Sequence, residues 1–416
     1  RLLQHMTLPC QPTVRLRLGT GASFGNVFVL GDALNGILGT NILGTTTSQI
    51  ADISADVTNI SIRRGRDRIF EQYTPGRCSV TWWDFTGDWN PDNTTSPYYG
   101  QILPMRQVKI TTEYLGVEYA LFSGFISSWD WDWPKGTEFA QVTIQADDGF
   151  RLLALSNVDN VTGAATGDLP GERINQLLDM VDWPADMRDI DDGTQELQND
   201  PGGLRATLTA IQTVENTELG AFYMDGNGNA RFKSRAAISE QASGTATTFA
   251  DNGTGIDYQE VDVAFDETEL SNVVSVTNHG GTAQIASDAT SIADYFTRTY
   301  TLTQLLGRNN AQALNIANLI LNYRKTPRIR IESLTLDLSS NSDRVLPALS
   351  LDFGDPIFIV RTQTPTSVLD VRVTVQGIEH TITPATWVTR LITREPLSTA
   401  FILGSTQYGI LGTNTL

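Results

Sequence analysis

The 416-residue sequence is poor in several things at once, and each shortage removes a class of function. Two cysteines, Cys10 and Cys78, are too few for a disulfide framework, and neither lies in the C-x-x-C spacing of zinc or redox sites. Two free or partly buried thiols are expected. Histidine occurs only as His5, His279 and His380, so a nucleophile–histidine–carboxylate set has little to draw on. No serine sits in a G-x-S-x-G turn, no phosphate-binding loop is present, and Gly19, Gly21 and Gly25 lack the spacing of a dinucleotide fingerprint. No apolar run approaches the ~18 residues of a membrane span, and no signal-peptide order opens the chain, so no membrane anchor is expected.

Positive charge is scarce as well. Twenty-nine Lys and Arg against 47 Asp and Glu give a formal charge of -18, with only 18% of residues charged. A protein that grips nucleic acid through its phosphates needs a basic stripe, which this composition argues against. Like charge does allow a duplex to slide past without sticking. DNA in transit, without specific binding, is compatible with the sequence.

What the sequence does contain is strand signal. Residues 107–114 alternate, with Val108, Ile110, Thr112 and Tyr114 on one face, and residues 139–146 do so through Val142 and Ile144. Residues 369–375 put Leu369, Val371, Val373 and Val375 on one side and Asp370, Arg372 and Thr374 on the other. Between Ile331 and Leu334 the apolar phase shifts, which predicts a β-bulge. Helical period is confined to three stretches. Ile174, Leu177, Leu178 and Val181 stop before Pro184; Ile316, Leu319, Ile320 and Tyr323 end before Pro327; a weaker helix runs from Leu204 through Leu208 to Ile211. Residues 220–232 read as a hairpin turning at Asp225-Gly226-Asn227-Gly228.

The expected fold class is mainly β with a small α+β insert. Polar stretches at 157–168, 189–203 and 245–255 divide the chain into an irregular N-terminal arm (1–47), a first β-domain (48–156), a middle helix-and-hairpin domain (157–257), a second β-domain (258–397) and a C-terminal segment (398–416). Residues 28–43 and 401–416 repeat one another, agreeing at ten of sixteen positions. Each copy is too short to bury its own apolar side chains. Phe28, Leu30, Ile37 and Leu38, with Phe401, Leu403, Ile410 and Leu411, therefore read as docking hooks for a neighbour, against the simpler reading of two independent apolar turns.

Two segments imitate calcium loops. Asp225, Asn227 and Asn229 start like an EF-hand, but Ala230 and Ala236 stand where Gly and the bidentate Glu belong, so a turn is expected. Asp88, Asn90 and Asp92 have similar spacing, and Pro91 with the nearby aromatics points to a rigid loop. The aromatic runs Trp82-Trp83-Asp84-Phe85 and Trp129-Asp130-Trp131-Asp132-Trp133 could form a glycan site with paired acids. In a strand, however, the rings and the acids fall on opposite faces, which favours an aromatic packing or contact stripe. No catalytic residue, cofactor or metal is assigned.

The ordered set Arg63-Arg64-Gly65-Arg66-Asp67, residues 73–81, Asp88-Trp89-Asn90-Pro91, Ser96-Pro97-Tyr98-Tyr99-Gly100 and Leu103-Pro104-Met105-Arg106 resembles the first tube-like domain of minor tail and tail hub proteins of long-tailed phages. Met105 stands where the usual turn glycine would be, and Trp82-Trp83 is unusual. Residues 269–276, the helix around Ile316, and residues 334–338, 351–355 and 375–380 resemble the second such domain. The resemblance implies two tail-tube-like β-barrel or sandwich domains in a structural, non-enzymatic hub of the virion tail, assembled in the host bacterial cytoplasm. It implies a homo-oligomer, a trimer by preference and a hexamer as the alternative. The implied neighbours are tail tube, distal tail ring, tape-measure and tip or fibre proteins, with DNA passing through the ring. Arg63, Arg64, Arg66, Trp89, Tyr98 and Tyr99 become candidate assembly contacts. The rivals are a hexameric distal tail ring protein, a receptor- or glycan-binding tip protein and a tail-associated glycan hydrolase.

Overall fold

A computed structural model describes residues 8–18, 50–136, 139–364 and 367–396. Alternation carries the chain through β1 (Pro12–Arg17), β2 (Ile50–Asp52), β3 (Val57–Gly65), β4 (Thr74–Asp84), β5 (Gln107–Tyr114), β6 (Val117–Asp132) and β7 (Ala140–Asp147). A smaller region follows, with α1 (Pro170–Asp179), α2 (Thr207–Glu218) and the hairpin β8 (Ala221–Met224) to β9 (Ala230–Lys233). The rest comprises β10 (Thr247–Ala250), β11 (Glu260–Ala264), β12 (Val273–Asn278), α3 (Asn310–Arg324), β13 (Arg330–Asp337), β14 (Pro356–Thr364), β15 (Ser367–Ile382) and β16 (Trp387–Arg394).

Thirteen of the strands form one sheet in the order β11-β13-β16-β15-β3-β4-β7-β6-β5-β1-β2, with β10 and β14 branching from β15. The same arrangement occurs twice within it. In the first half β3, β4, β7, β6 and β5 lie side by side; in the second, β11, β13, β16, β15 and β14 do. The long strands β6 and β15 occupy equivalent places, and each carries one bulged residue, Ser127 against β7 and Gln376 against β16. Each begins just after a hairpin partner, β5 or β14. An extra residue on one strand bends it and tightens its twist, so both halves curl at the same place. The halves meet where Gly377–Ile382 of β15 pair with Gly65–Ile60 of β3.

The mainly β expectation is met, with the helices in the middle region and around β12. Residues 107–114 form β5 with the expected limits. The phase shift between Ile331 and Leu334 is a bulge: β13 leaves Glu332 out of register with β11. α3 starts with a reciprocal cap, Asn309 Oδ1 accepting from Gln312 N at 3.0 Å and Gln312 Oε1 from Asn309 N at 3.3 Å, and it ends before Pro327. α2 begins at Thr207, three residues later than expected, and Leu204 is exposed.

Some segments read as irregular are built into sheets. Residues 12–17 of the expected arm are β1, hydrogen-bonded to β5 and β2, because Val14, Leu16 and Leu18 alternate inward and are fully buried. Burying each such side chain contributes about 1.5–3 kcal/mol. The 245–255 stretch contains β10, which runs parallel to β14 and inserts Phe249 into the core. Residues Arg188–Ile190 pair parallel with β9. One apolar cluster extends from β1 to β16 through the middle region, and a second lies between α3 and the sheet around β12.

Candidate functional site

β3 alternates strictly, and that separates the basic residues of its end. Arg63 points out, reaching Asp67 at 2.6 Å and Glu379 of β15 at 3.3 Å. Arg64 points in, over the Phe353 ring at 5.2 Å and 3.8 Å from Asp352. Arg66 is also buried: Nε donates to Gln376 Oε1 at 2.9 Å, Nη1 to the Glu71 carbonyl at 2.9 Å, and the guanidinium covers Tyr73. Within one protomer, then, the basic run is divided between one surface arginine and two internal ones. The surface part borders an open groove of about 250 Å³ lined by Arg63, Arg66, Asp67, Glu71, Thr74 and Arg77, in which both charge signs are mixed.

The aromatic segments converge. Tyr98 stacks on Trp89 at 4.5 Å, Trp89 on Trp129 at 5.9 Å and Trp129 on Trp131 at 6.3 Å, while Trp82 meets Trp89 and Trp129 edge-on. The indole N–H of Trp131 donates to the Trp89 carbonyl and that of Trp129 to the Leu103 carbonyl, at 2.8 and 3.0 Å. Trp89 is buried and Tyr98 half-buried; of this stretch Tyr99 is 51% exposed and Trp133 59%. The rings therefore act first as packing, with Tyr99 and Trp133 left for contact.

The carboxylates of the two calcium-like segments are engaged by their own loops. Asp84 accepts from Gly87 N at 2.8 Å and Trp89 N at 3.0 Å; Asp88 accepts from the Thr86 hydroxyl and Asn90 from Asp92 N. Asp225 accepts from the backbone N–H of Asn227 and Asn229 and from Arg231, as a turn requires. Among the described residues, no group of three His, Cys, Asp or Glu side chains is placed to hold a metal ion.

Met105, at the place of the usual turn glycine, adopts φ 63° while its N–H donates to the Ile126 carbonyl at 2.7 Å. A left-handed conformation costs a non-glycine residue about 1 kcal/mol. Met105→Gly is accordingly expected to stabilise the fold by about that amount, measured as a raised urea midpoint at constant m-value; a lowered midpoint would show that the Met105 side chain matters more than its backbone.

Three buried titratable groups had no signal in the sequence. Burial pushes the Asp148 carboxyl up to about 7, although it accepts from Gly76 N at 2.7 Å and Phe150 N at 3.0 Å. Burial likewise raises Glu215 of α2 to about 7; Oε1 accepts from Phe222 N at 3.0 Å and Oε2 has no partner. Burial, then the charge of Arg64, lowers His380 to about 3, where its ring contacts the Thr389 hydroxyl at 2.9 Å. The raised carboxyls contribute stability that is complete below the ordinary carboxylate range and is lost as pH rises through about 7. His380 acts oppositely: its contribution is present above the ordinary histidine value and is lost as pH falls toward about 3. Glu215→Gln removes one of the two carboxyl contributions. The stability change between pH 5 and pH 8 is expected to shift in the variant's favour by on the order of 2 kcal/mol, and parallel pH profiles for the two proteins would refute it.

Both cysteines are free and buried, and burial raises each thiol. The hook residues Phe28, Leu30, Ile37, Leu38, Phe401, Leu403, Ile410 and Leu411 lie outside the described residues.

No protein-family model and no curated protein matches the chain. Solved structures do. The tail protein from Neisseria meningitidis aligns over 92% of this chain and 97% of its own, with a TM-score of 0.58 at 12% identity. The 43 kDa tail protein of prophage MuSo2 from Shewanella oneidensis aligns over 84% and 94%, with a TM-score of 0.53 at 13% identity. At such identities the likeness concerns the fold, and over most of its length this chain has the fold of those tail proteins.

Proposed function

We propose that the chain is a structural, non-enzymatic component of a phage tail, and that within the tail it is the hub at the distal end of the tube. The observation that carries the reading is the tail-protein fold extending over 92% of the chain, joined to the order of sequence motifs that resembles tail hub proteins. In this reading the protein is part of the virion, assembles in the bacterial cytoplasm, links tube to tip or fibres and lets DNA pass without binding it. The two β-domains and the middle domain keep the boundaries given by the polar stretches, and the terminal repeats dock on neighbouring tail proteins. Arg63 and Tyr99 are the candidate contacts that remain on the surface of the protomer.

A strand arrangement repeated twice within one chain supports a trimer over a hexamer, since three copies then supply six similar halves. Cryo-electron microscopy of particles carrying a tagged copy tests this directly. Density at the distal end of the tube with three-fold symmetry is the expected result. Six-fold density would turn the assignment to a distal ring protein, and particles without the chain would overturn the tail reading.

A further inference from the structure

The chain makes a joint with itself, and it leaves the two halves of a second such joint open. At the internal joint the second half of β15, after its bulge at Gln376, accepts β3 on the same side as β14. The strand in the place of β15 in the first half is β6, and the strand in the place of β3 in the second half is β11. Among the described residues, β5 covers β6 only as far as Phe125, and no strand pairs with residues 128–132 on that side. β11 is the terminal strand of the sheet, with β13 as its only strand neighbour among the described residues. Both open edges carry exposed apolar side chains: Trp133 on one, Val263 and Phe265 on the other, at 59, 44 and 69% exposure. Unpaired edges with apolar side chains are the places where chains add to one another.

We propose that β11 of one copy pairs antiparallel with residues 128–132 of β6 in a second copy, repeating between protomers the β3–β15 joint found within each. This rests on the self-associating reading above and names the strands that do it. The register follows from the internal joint. Ser127 matches Gln376 as the bulged residue, so Asp132 takes the place of Thr381; Asp262 takes the place of Ser61, because β13 pairs with Asp262 through Ser333 as β4 pairs with Ser61 through Ser79. Thr381 and Ser61 are partners, which sets Asp132 opposite Asp262. The joint is heterologous, one copy's β6 to the next copy's β11, so repetition closes a ring. Two carboxylates face each other across it, so added salt strengthens the association by screening them.

The test uses full-length chains bearing Asp132→Cys or Asp262→Cys singly. Under mild oxidation the two variants are expected to form a disulfide-linked dimer only when mixed, more readily at higher salt, while amides 128–132 and 260–264 gain hydrogen-exchange protection as oligomers form. Val263→Lys, exposed and on the open edge, is expected to weaken association at least about tenfold without unfolding the monomer. Oligomers that form with no cross-link in the mixture overturn the joint and leave the hub reading standing. A chain that stays monomeric, or whose monomer already protects amides 128–132 because its own terminal segments cover them, overturns the joint as well; the hub reading is judged separately, by the position of the chain in particles.

Discussion

Gly65→Val is expected to part the two halves of the large sheet at their only shared pair of strands among the described residues. Gly65 adopts φ 112°, a conformation that L side chains avoid, and a Cβ there would lie 2.4 Å from both the Gln376 carbonyl oxygen and the Gly377 Cα. Neither obstacle is the movable tip of a side chain; both are backbone of β15. The contact is also where Arg66 N donates to the Gln376 carbonyl at 3.0 Å and Arg66 Nε to the Gln376 side chain. Strain and forced separation together are expected to cost about 3–5 kcal/mol. Gly100→Val provides the comparison, since Gly100 has φ 74° with no atom within 4 Å of a Cβ, and it is expected to cost about 1 kcal/mol. Equal losses of the two variants in urea unfolding would mean that the joint is not closely packed.

Trp82→Ala is expected to be comparably damaging for a different reason. The Trp82 side chain is fully buried at the base of the aromatic cluster and meets Trp89 and Trp129 edge-on at 5.2 and 6.2 Å. Its removal leaves a cavity under rings whose N–H groups are tied to the backbone of the 89–103 loop. A loss of about 3–5 kcal/mol is expected, with Trp82→Phe losing much less. The loop depends on that platform, so limited proteolysis within residues 85–105 should accelerate in the alanine variant. Unchanged stability and unchanged cleavage would refute a structural role for the cluster.

The strands that could be read from sequence were those in which one face is buried and the other wet. β5 showed this over its full length, and the slip at Glu332 appeared as a break in phase. β10 was hidden because it is four residues long and lies among Thr, Asn and Gly, so composition outweighed pattern. β1 did alternate, with Val14, Leu16 and Leu18, but its arginines and the irregular sequence after it masked the signal. The candidate contacts failed in a similar way. Clustered arginines resemble a surface, yet strand geometry sends Arg64 inward from Arg63, and Arg66 finds its partner 310 positions away. No local pattern encodes a partner at that distance, which is also why the joint between β3 and β15 was not visible.

That separation sets the order in which the protein can be made. At a synthesis rate of about 5–20 residues per second, the roughly 310 residues between Arg66 and Gln376 take about 15–60 s to appear. Throughout that interval the N-terminal half can fold its hairpins, but the outer edge of β3 has no strand to receive it. An exposed edge of that kind is sticky, so nascent chains are most prone to capture one another before residues 377–382 emerge. The same covalent continuity that delays the closure then favours the correct one, because β15 of the same chain reaches β3 at a far higher local concentration than any neighbour's. Slow ribosomes or crowded polysomes should raise the yield of mispaired chains, and the length of the chain between its two matching halves becomes a clock on assembly.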